Sequence, residues 1–362
     1  KDLSEVYKLR KGAKKMKIER GIHTFSLTAP CSYHIIQELR ETQSHYVRKM
    51  SGARLTKIIS LNKYKPQGVE ILLTQSIDHR SWIRLIINPS SLCSGRYEPL
   101  ALFQAEHADL KQIHKRLKEI IKELELPMKL KDFKLNRVDL TRNLYCKSSE
   151  EVKVRLDIFR KSAQLPHYKE KNLRRKSGER DEAIDQPLYA NKKNQHSWTT
   201  CAKNCEFSVY DKGYELKKQH AITILSSILR LELRISRQRL QKLAGKGHWE
   251  DQLWQLSKDQ DKIMDKFLRR LHQDFPQVVH KKEAFKRIEE SSFQKRTKDK
   301  MRELVKKMSS CGSFTAARQK MGISKKSFIQ LLRKFEKIKI SPITLPQKAE
   351  IDVVSTGYQN GV

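Results

Sequence analysis

Three stretches of this chain alternate apolar and polar side chains at the two-residue period of a half-buried strand, and they constrain the fold more than any other feature. In 136–146, Val138, Leu140, Leu144 and Cys146 fall on one side; Arg137, Asp139, Thr141, Asn143 and Tyr145 fall on the other, and Arg142 breaks the division. The stretch 206–212 repeats the pattern, and 229–235 is its cleanest form, with Leu229, Leu231, Leu233 and Ile235 set against Arg230, Glu232 and Arg234. If the three share one sheet, their apolar sides make a floor for helices. Their polar sides then collect on one surface.

The flanking sequence supplies the rest of such a layer. Ile22–Thr28 reads as a first strand, and Ser32 caps a helix running through Ile35, Ile36 and Leu39 toward Val47. Three further strands are expected over 55–64, 69–77 and 82–88; their short spacers imply an antiparallel meander. Leu110, Ile113, Leu117, Ile120, Ile121 and Leu124 recur at helical spacing over 108–126, and Val152, Leu156 and Phe159 do so over 150–163. Residues 164–200 are polar and aperiodic, fitting either a flexible surface loop or one ordered by a nucleic-acid backbone. A short apolar helical stretch is expected near 221–225. Beyond Gln238 the pattern is helical, with one long amphipathic segment over 249–275, a strongly charged one with sparse apolar positions over 281–307, and two short helices over 313–338. Pro342 and Pro346 end the ordered part, and the tail after Ala349 is expected to fray.

The predicted fold class is therefore α+β: an antiparallel sheet covered by helices on one face, followed by an all-helical C-terminal region. The expected division is a basic arm over 1–19, an α+β domain over 20–245, a helical connector over 246–308, a helix pair over 309–346 and a flexible tail over 347–362. At 362 residues the chain is long enough for two or three cores.

Bulk charge narrows the partner. Lys and Arg number 76 against 41 Asp and Glu, a formal net charge of +35, which suits a polyanion whose condensed counterions are released on binding. No run of about 18 apolar residues is present, so no membrane is expected. The six cysteines are scattered, which argues for reduced thiols in a cytoplasm rather than a disulfide framework. His196, Cys201, Cys205 and His220 fit no common zinc spacing.

The pooled polar surface would gather Asp139, Asn143, Glu232 and Tyr210, flanked by Arg137, Arg230, Arg234 and Lys212. Carboxylates hold hard divalent cations such as Mg or Mn, which polarise a phosphate. A tyrosine hydroxyl attacks phosphorus to give a covalent ester, and arginines position the backbone. The plainer reading is a solvated sheet face whose acids and bases pair across strands, with Tyr210 an ordinary strand aromatic.

Asn136-Arg137-Val138-Asp139-Leu140, then Val209-Tyr210-Asp211-Lys212-Gly213-Tyr214-Glu215, then Leu231-Glu232-Leu233-Arg234 resemble the ordered motifs of phage and plasmid rolling-circle replication initiators, of the Gram-positive plasmid and filamentous-phage type. The likeness spans roughly residues 20–240. It implies a strand-rich nicking domain that cuts one DNA strand at an origin, stays attached through a phosphotyrosine, and leaves a 3′-hydroxyl for polymerase. It further implies that Asp139 and Glu232 are metal-site acids, with Tyr210 as first and Tyr214 as second choice of nucleophile. Many such enzymes bind metal through His-x-His, which none of the twelve histidines here forms, so Tyr145, Tyr168 and Tyr189 stay eligible as nucleophile.

Residues 314–328 look like a helix-turn-helix: Gly322 suits a left-handed helix end, Ser324 caps the next helix, and Ile323, Phe328 and Leu331 would bury the pair. Lys325, Lys326, Ser327 and Gln330 would then face a major groove. The plainer reading is a helical hairpin. The expectation is a replication initiator of a bacterial plasmid, phage or mobile element, acting on single- and double-stranded origin DNA in the cytoplasm and passing it to a host helicase or polymerase. A non-catalytic origin-binding regulator and a mobilisation relaxase are the alternatives.

Overall fold

The three alternating stretches do lie side by side. The computed structural model describes residues 17–42, 45–50, 56–61, 63–75, 81–170, 196–347, 349 and 353–355. Its first part runs β1 (Ile18–Cys31), α1 (Tyr33–Thr42), β2 (His45–Met50), β3 (Thr56–Leu61), β4 (Val69–Gln75), β5 (Ser81–Ile87), α2 (Pro89–Ser94) and α3 (His107–Glu123). The second runs β6 (Lys134–Cys146), α4 (Ser149–Arg160), β7 (Lys169–Glu170), β8 (Ser197–Ala202), β9 (Cys205–Asp211), α5 (Lys212–His220) and β10 (Ser227–Ser236). The remainder runs α6 (Arg237–Ala244), α7 (Trp249–Lys258), α8 (Gln260–Arg270), β11 (Gln277–Val279), α9 (Lys281–Glu290), α10 (Lys295–Ser310), α11 (Phe314–Lys320), α12 (Lys325–Lys337) and β12 (Val353–Ser355).

Ten strands form one antiparallel sheet in the order β2-β3-β4-β5-β1-β6-β10-β9-β8-β7. The order contains a repeat. A long strand, a helix and a meander whose last strand returns to pair with the first occurs twice, as β1 to β5 and as β6 to β10. The two copies meet where β1 lies antiparallel to β6.

Val138, Leu140, Leu144, Leu229, Leu231, Leu233 and Ile235 join one large core, to which α3 adds Ile113 and Leu117, α4 adds Leu156 and Phe159, and α7 and α8 add Leu253 and Phe267. Trp249 stacks on Phe25, ring centroids 5.9 Å apart. Arg142, the residue out of pattern, points to this apolar side and is held there by α8: Nη1 donates to Asp265 Oδ1 at 2.7 Å and Nη2 to Asp261 Oδ1 at 2.7 Å. A second core closes the C-terminal region around Val278, Met301, Leu304, Phe314, Phe328 and Phe335, with Val154 and Ile158 of α4 inserted from the sheet domain.

Several boundaries differ from expectation. The helix expected to reach Val47 stops at Thr42, and His45–Met50 is a strand paired with β3. Ser197–Ala202, which starts inside the stretch read as aperiodic and runs past its end, is a strand between β9 and β7. The helix after β9 is Lys212–His220, begun by Asp211, whose carboxylate accepts from the Tyr214 amide; it ends at Ala221, with φ +55°, so 221–225 is not helical. The 249–275 segment breaks into two helices at Asp259 and the 281–307 segment into two at 291–294. The expected connector is therefore divided between the two cores. The C-terminal region is not wholly helical, since Val353–Ser355 pairs with Gln277–Val279. Most of the basic arm, and Tyr189, lie outside the described residues.

Candidate functional site

Register places the polar groups. Arg234 sits opposite Asp139 on β6 and Glu206 on β9; Glu232 sits opposite Thr141 and Ser208; Arg230 sits opposite Asn143 and Tyr210. Side chains at these cross-strand neighbours touch, and here they form one network. Arg234 Nε donates to Asp139 Oδ1 at 3.1 Å, its Nη1 to Glu206 Oε1 at 3.1 Å, and its Nη2 to Glu232 Oε1 at 3.3 Å. Arg137 Nε donates to Asp139 Oδ1 at 2.8 Å, and its Nη2 bonds Oδ2. Tyr210 Oη donates to Glu232 Oε2 at 3.2 Å.

A histidine completes the cluster from β1. The pairing of β1 with β6 slips between Ile22 and Thr24, and in this irregularity His23 brings Nδ1 to 3.5 Å from Glu232 Oε2 and 3.2 Å from Thr24 Oγ1. Bulges re-aim side chains in this way. Sequence reasoning passed over His23, although a signal was present: Ile22 and Phe25, both core residues, stand three apart where strict alternation allows two or four.

This surface is a floor beneath other structure, not an open face. The chain between α2 and α3 crosses one end of it. The Arg230 Nη2 donates to Pro99 O at 3.0 Å and Leu100 O at 3.3 Å, while Asn143 Nδ2 donates to Leu100 O at 2.9 Å. Arg230 Nε donates to Asn143 Oδ1 at 2.7 Å. Its remaining nitrogen, Nη1, is buried without a hydrogen-bond partner among the described residues. Helix α5 covers the same end and buries Lys212, whose Nζ meets Glu215 Oε2 at 2.6 Å.

Burial and charge set the protonation states. Desolvation pushes the Tyr210 phenol well above its ordinary pKa, and the Glu232 carboxylate adds to the rise. Burial alone would raise Glu232, but the His23 hydrogen bond and the charges of Arg234 and Arg137 outweigh it and hold the carboxyl far below the usual range. Burial also pushes His23 and Lys212 down, with Arg230 adding to both. At neutral pH the centre holds a neutral imidazole, a phenol and an ionised Glu232.

No protein-family model matches this chain. No curated protein matches it. Among solved structures, the Rolling Circle Replication Initiator Protein from Geobacillus stearothermophilus aligns over 70% of this chain and 86% of its own length, at 7% identity and a TM-score of 0.33. A likeness that slight bears no weight on its own.

The expected residues are thus only partly brought together. Asp139, Glu232 and Tyr210 converge through Arg234. Of the residues expected to rim the site for a DNA backbone, Arg137, Arg234 and Lys212 pair with carboxylates of the protein, while Arg230 is held by Asn143 and the carbonyls of Pro99 and Leu100. Tyr214 stands apart on α5, its ring stacked 3.5 Å from His196 and its Oη accepting from Lys218 Nζ at 3.2 Å. Tyr145 donates to Glu19 Oε2 at 2.6 Å and Tyr168 accepts from Arg239 Nη1 at 2.7 Å, both outside the network.

The donor set does not fit a divalent metal as it stands. Both Asp139 oxygens are held by guanidinium groups and both Glu232 oxygens are engaged; no group of three His, Cys, Asp or Glu among the described residues could hold an ion. His196, Cys201, Cys205 and His220 likewise form no such group. In the C-terminal region, Gly322 takes φ +63° and the Ser324 hydroxyl accepts from the Ser327 amide. Phe328, Leu331, Leu332 and Phe335 face the core, and Lys325, Lys326, Ser327 and Gln330 are exposed.

Proposed function

We propose that this chain is a DNA replication initiator that cuts one strand through Tyr210. One observation carries the reading: the Tyr210 hydroxyl is paired with an ionised carboxylate at 3.2 Å, with an unsatisfied guanidinium nitrogen buried in the same cluster. A nucleophile, a base to receive its proton and an anion-binding group in one cluster are the parts that phosphoryl transfer needs. A phosphodiester brought to this cluster would be held by Arg230. Tyr210 Oη would attack phosphorus as its proton passes to Glu232 Oε2. The P–O3′ bond would break, and the 3′ oxygen would take a proton from Lys212, whose depressed pKa makes it a readier donor. No step is routed through Mg or Mn, because the carboxylates are occupied by arginines.

Helix α12 supports the DNA-binding half of the reading. Its exposed side carries Lys325, Lys326, Ser327 and Gln330, and a helix that follows a tight turn with such a side suits a major groove. The raised Tyr210 pKa favours a second reading, an origin-binding protein in which the tyrosine only braces Glu232. Incubation with supercoiled DNA carrying the gene and its flanking sequence separates the two. Nicking predicts relaxed circles with protein attached, lost with Tyr210→Phe and kept with Tyr214→Phe. Binding without any relaxed circles would leave only the second reading.

A further inference from the structure

A cleft of about 1250 Å³ opens between the outer side of α4 and the C-terminal unit, well apart in sequence from the Tyr210 network. Arg160 and Lys161 stand on one wall and Lys281 and Lys282 on the other, with Phe285 and Leu345 among the apolar groups that line it. The charge balance is one-sided. The acid among the lining residues, Asp157, is already tied to Arg160. Lys161 is half-buried; desolvation pushes its pKa down, and that same Asp157 supplies the opposing charge.

The opposite wall adds two features. Helix α9 begins after His280 with no side chain capping it, and the Leu345 backbone, bridged in parallel to His280, borders its first turn. Helix N-termini of this kind favour anions. Lys281 and Lys282 are exposed beside that turn, and the Lys281 ammonium stands 5.7 Å from the Phe285 ring centroid. A cleft with cations along its rim and an aromatic ring within matches how proteins hold single strands: phosphates at the rim, a base against the ring. A duplex offers phosphates but keeps its bases stacked away.

We propose that this cleft is a binding site for single-stranded DNA, with phosphates held by Lys281, Lys282, Arg160 and Lys161 and a base seated on Phe285. That the polymer is DNA rests on the functional reading above; the site itself does not depend on Tyr210. The test uses the full chain and a fluorescein-labelled dT20, with a 20-base-pair duplex as the second arm, read by anisotropy between 50 and 200 mM NaCl. Lys281→Ala/Lys282→Ala changes two exposed residues, and its thermal midpoint is checked against the parent. Affinity for dT20 is expected to fall about tenfold, with the salt slope reduced by about 1.4, the release from two single-strand phosphates. Phe285→Ala is expected to weaken dT20 and leave the duplex unchanged. The same losses should appear in a Tyr210→Phe background, so a chain that does not nick can still pass. Unchanged dT20 affinity, or equal losses for dT20 and duplex, would overturn the proposal.

Discussion

Arg234 keeps Asp139 and Glu232 from acting as a pair. A guanidinium has donors enough to serve three carboxylates at once, and this one reaches Asp139, Glu206 and Glu232 from the middle of β10. The acids expected as metal ligands are therefore charge-compensated by the protein itself. Removing the arginine should reverse that. In Arg234→Ala, Asp139 and Glu232 lose a shared cation while His23 Nδ1 stays beside Glu232, so manganese affinity, read by titration calorimetry or electron paramagnetic resonance, should rise at least about tenfold over the parent. Tight manganese binding by the parent would mean that Arg234 yields its place readily. Asp139 and Glu232 could be picked out in the sequence because alternation puts them on one face. Their neutralisation by arginines was open as the plainer reading, but that Arg234 serves both could not be read, since it depends on cross-strand register, which a single strand's pattern does not encode.

At the scale of elements, the segment between α2 and α3 does most to cover the polar network. It holds Arg230 and Asn143 through the carbonyls of Pro99 and Leu100, and it pairs Phe103 with Ile22 at the edge of β1. Gly21 makes that approach possible: a Cβ there would meet Phe103 O at 2.7 Å and Leu102 Cβ at 2.8 Å. Gly21→Ala should push the segment off the sheet, costing about 1–3 kcal/mol in urea denaturation and raising proteolysis between Gly95 and Glu106. Unchanged stability would mean the segment tolerates displacement. Its role was illegible beforehand because backbone carbonyls make these contacts, and a side-chain pattern is silent about carbonyls. The helices, by contrast, were legible wherever one face is apolar. Helices α3, α4 and α12 fall within a few residues of the spans read from periodicity, whereas α5, which buries chiefly Lys212 and Leu216, was misplaced by several residues.

For the molecule as a whole, the junction between the two cores should respond to pH. His272, at the end of α8 with φ +54°, stands edge-on to Phe314 of the C-terminal core, and burial together with Lys325 pushes its pKa down to about 4. The unfolded chain binds this proton from about pH 6.5, so folding stability from this residue is full above that pH and declines as pH falls toward 4. The loss should approach about 3 kcal/mol, seen as faster amide exchange in α11 and α12 after correction for intrinsic rates, and His272→Asn should remove most of that pH dependence. Overall class was legible because alternation and periodicity each name an element type. The doubled topology was not, because two copies can share a path without sharing a sequence. That doubling bears on origin. A chain holding one copy would have its first strand exposed at an edge, free to pair with the same strand of a second chain about a twofold axis, as β1 pairs with β6 here. Joining the copies in one chain removes that symmetry, and His23 from the first copy faces Glu232 from the second. Such a centre takes its acids, arginines and tyrosine from the second half and its histidine from the first, and loses the histidine if they are separated.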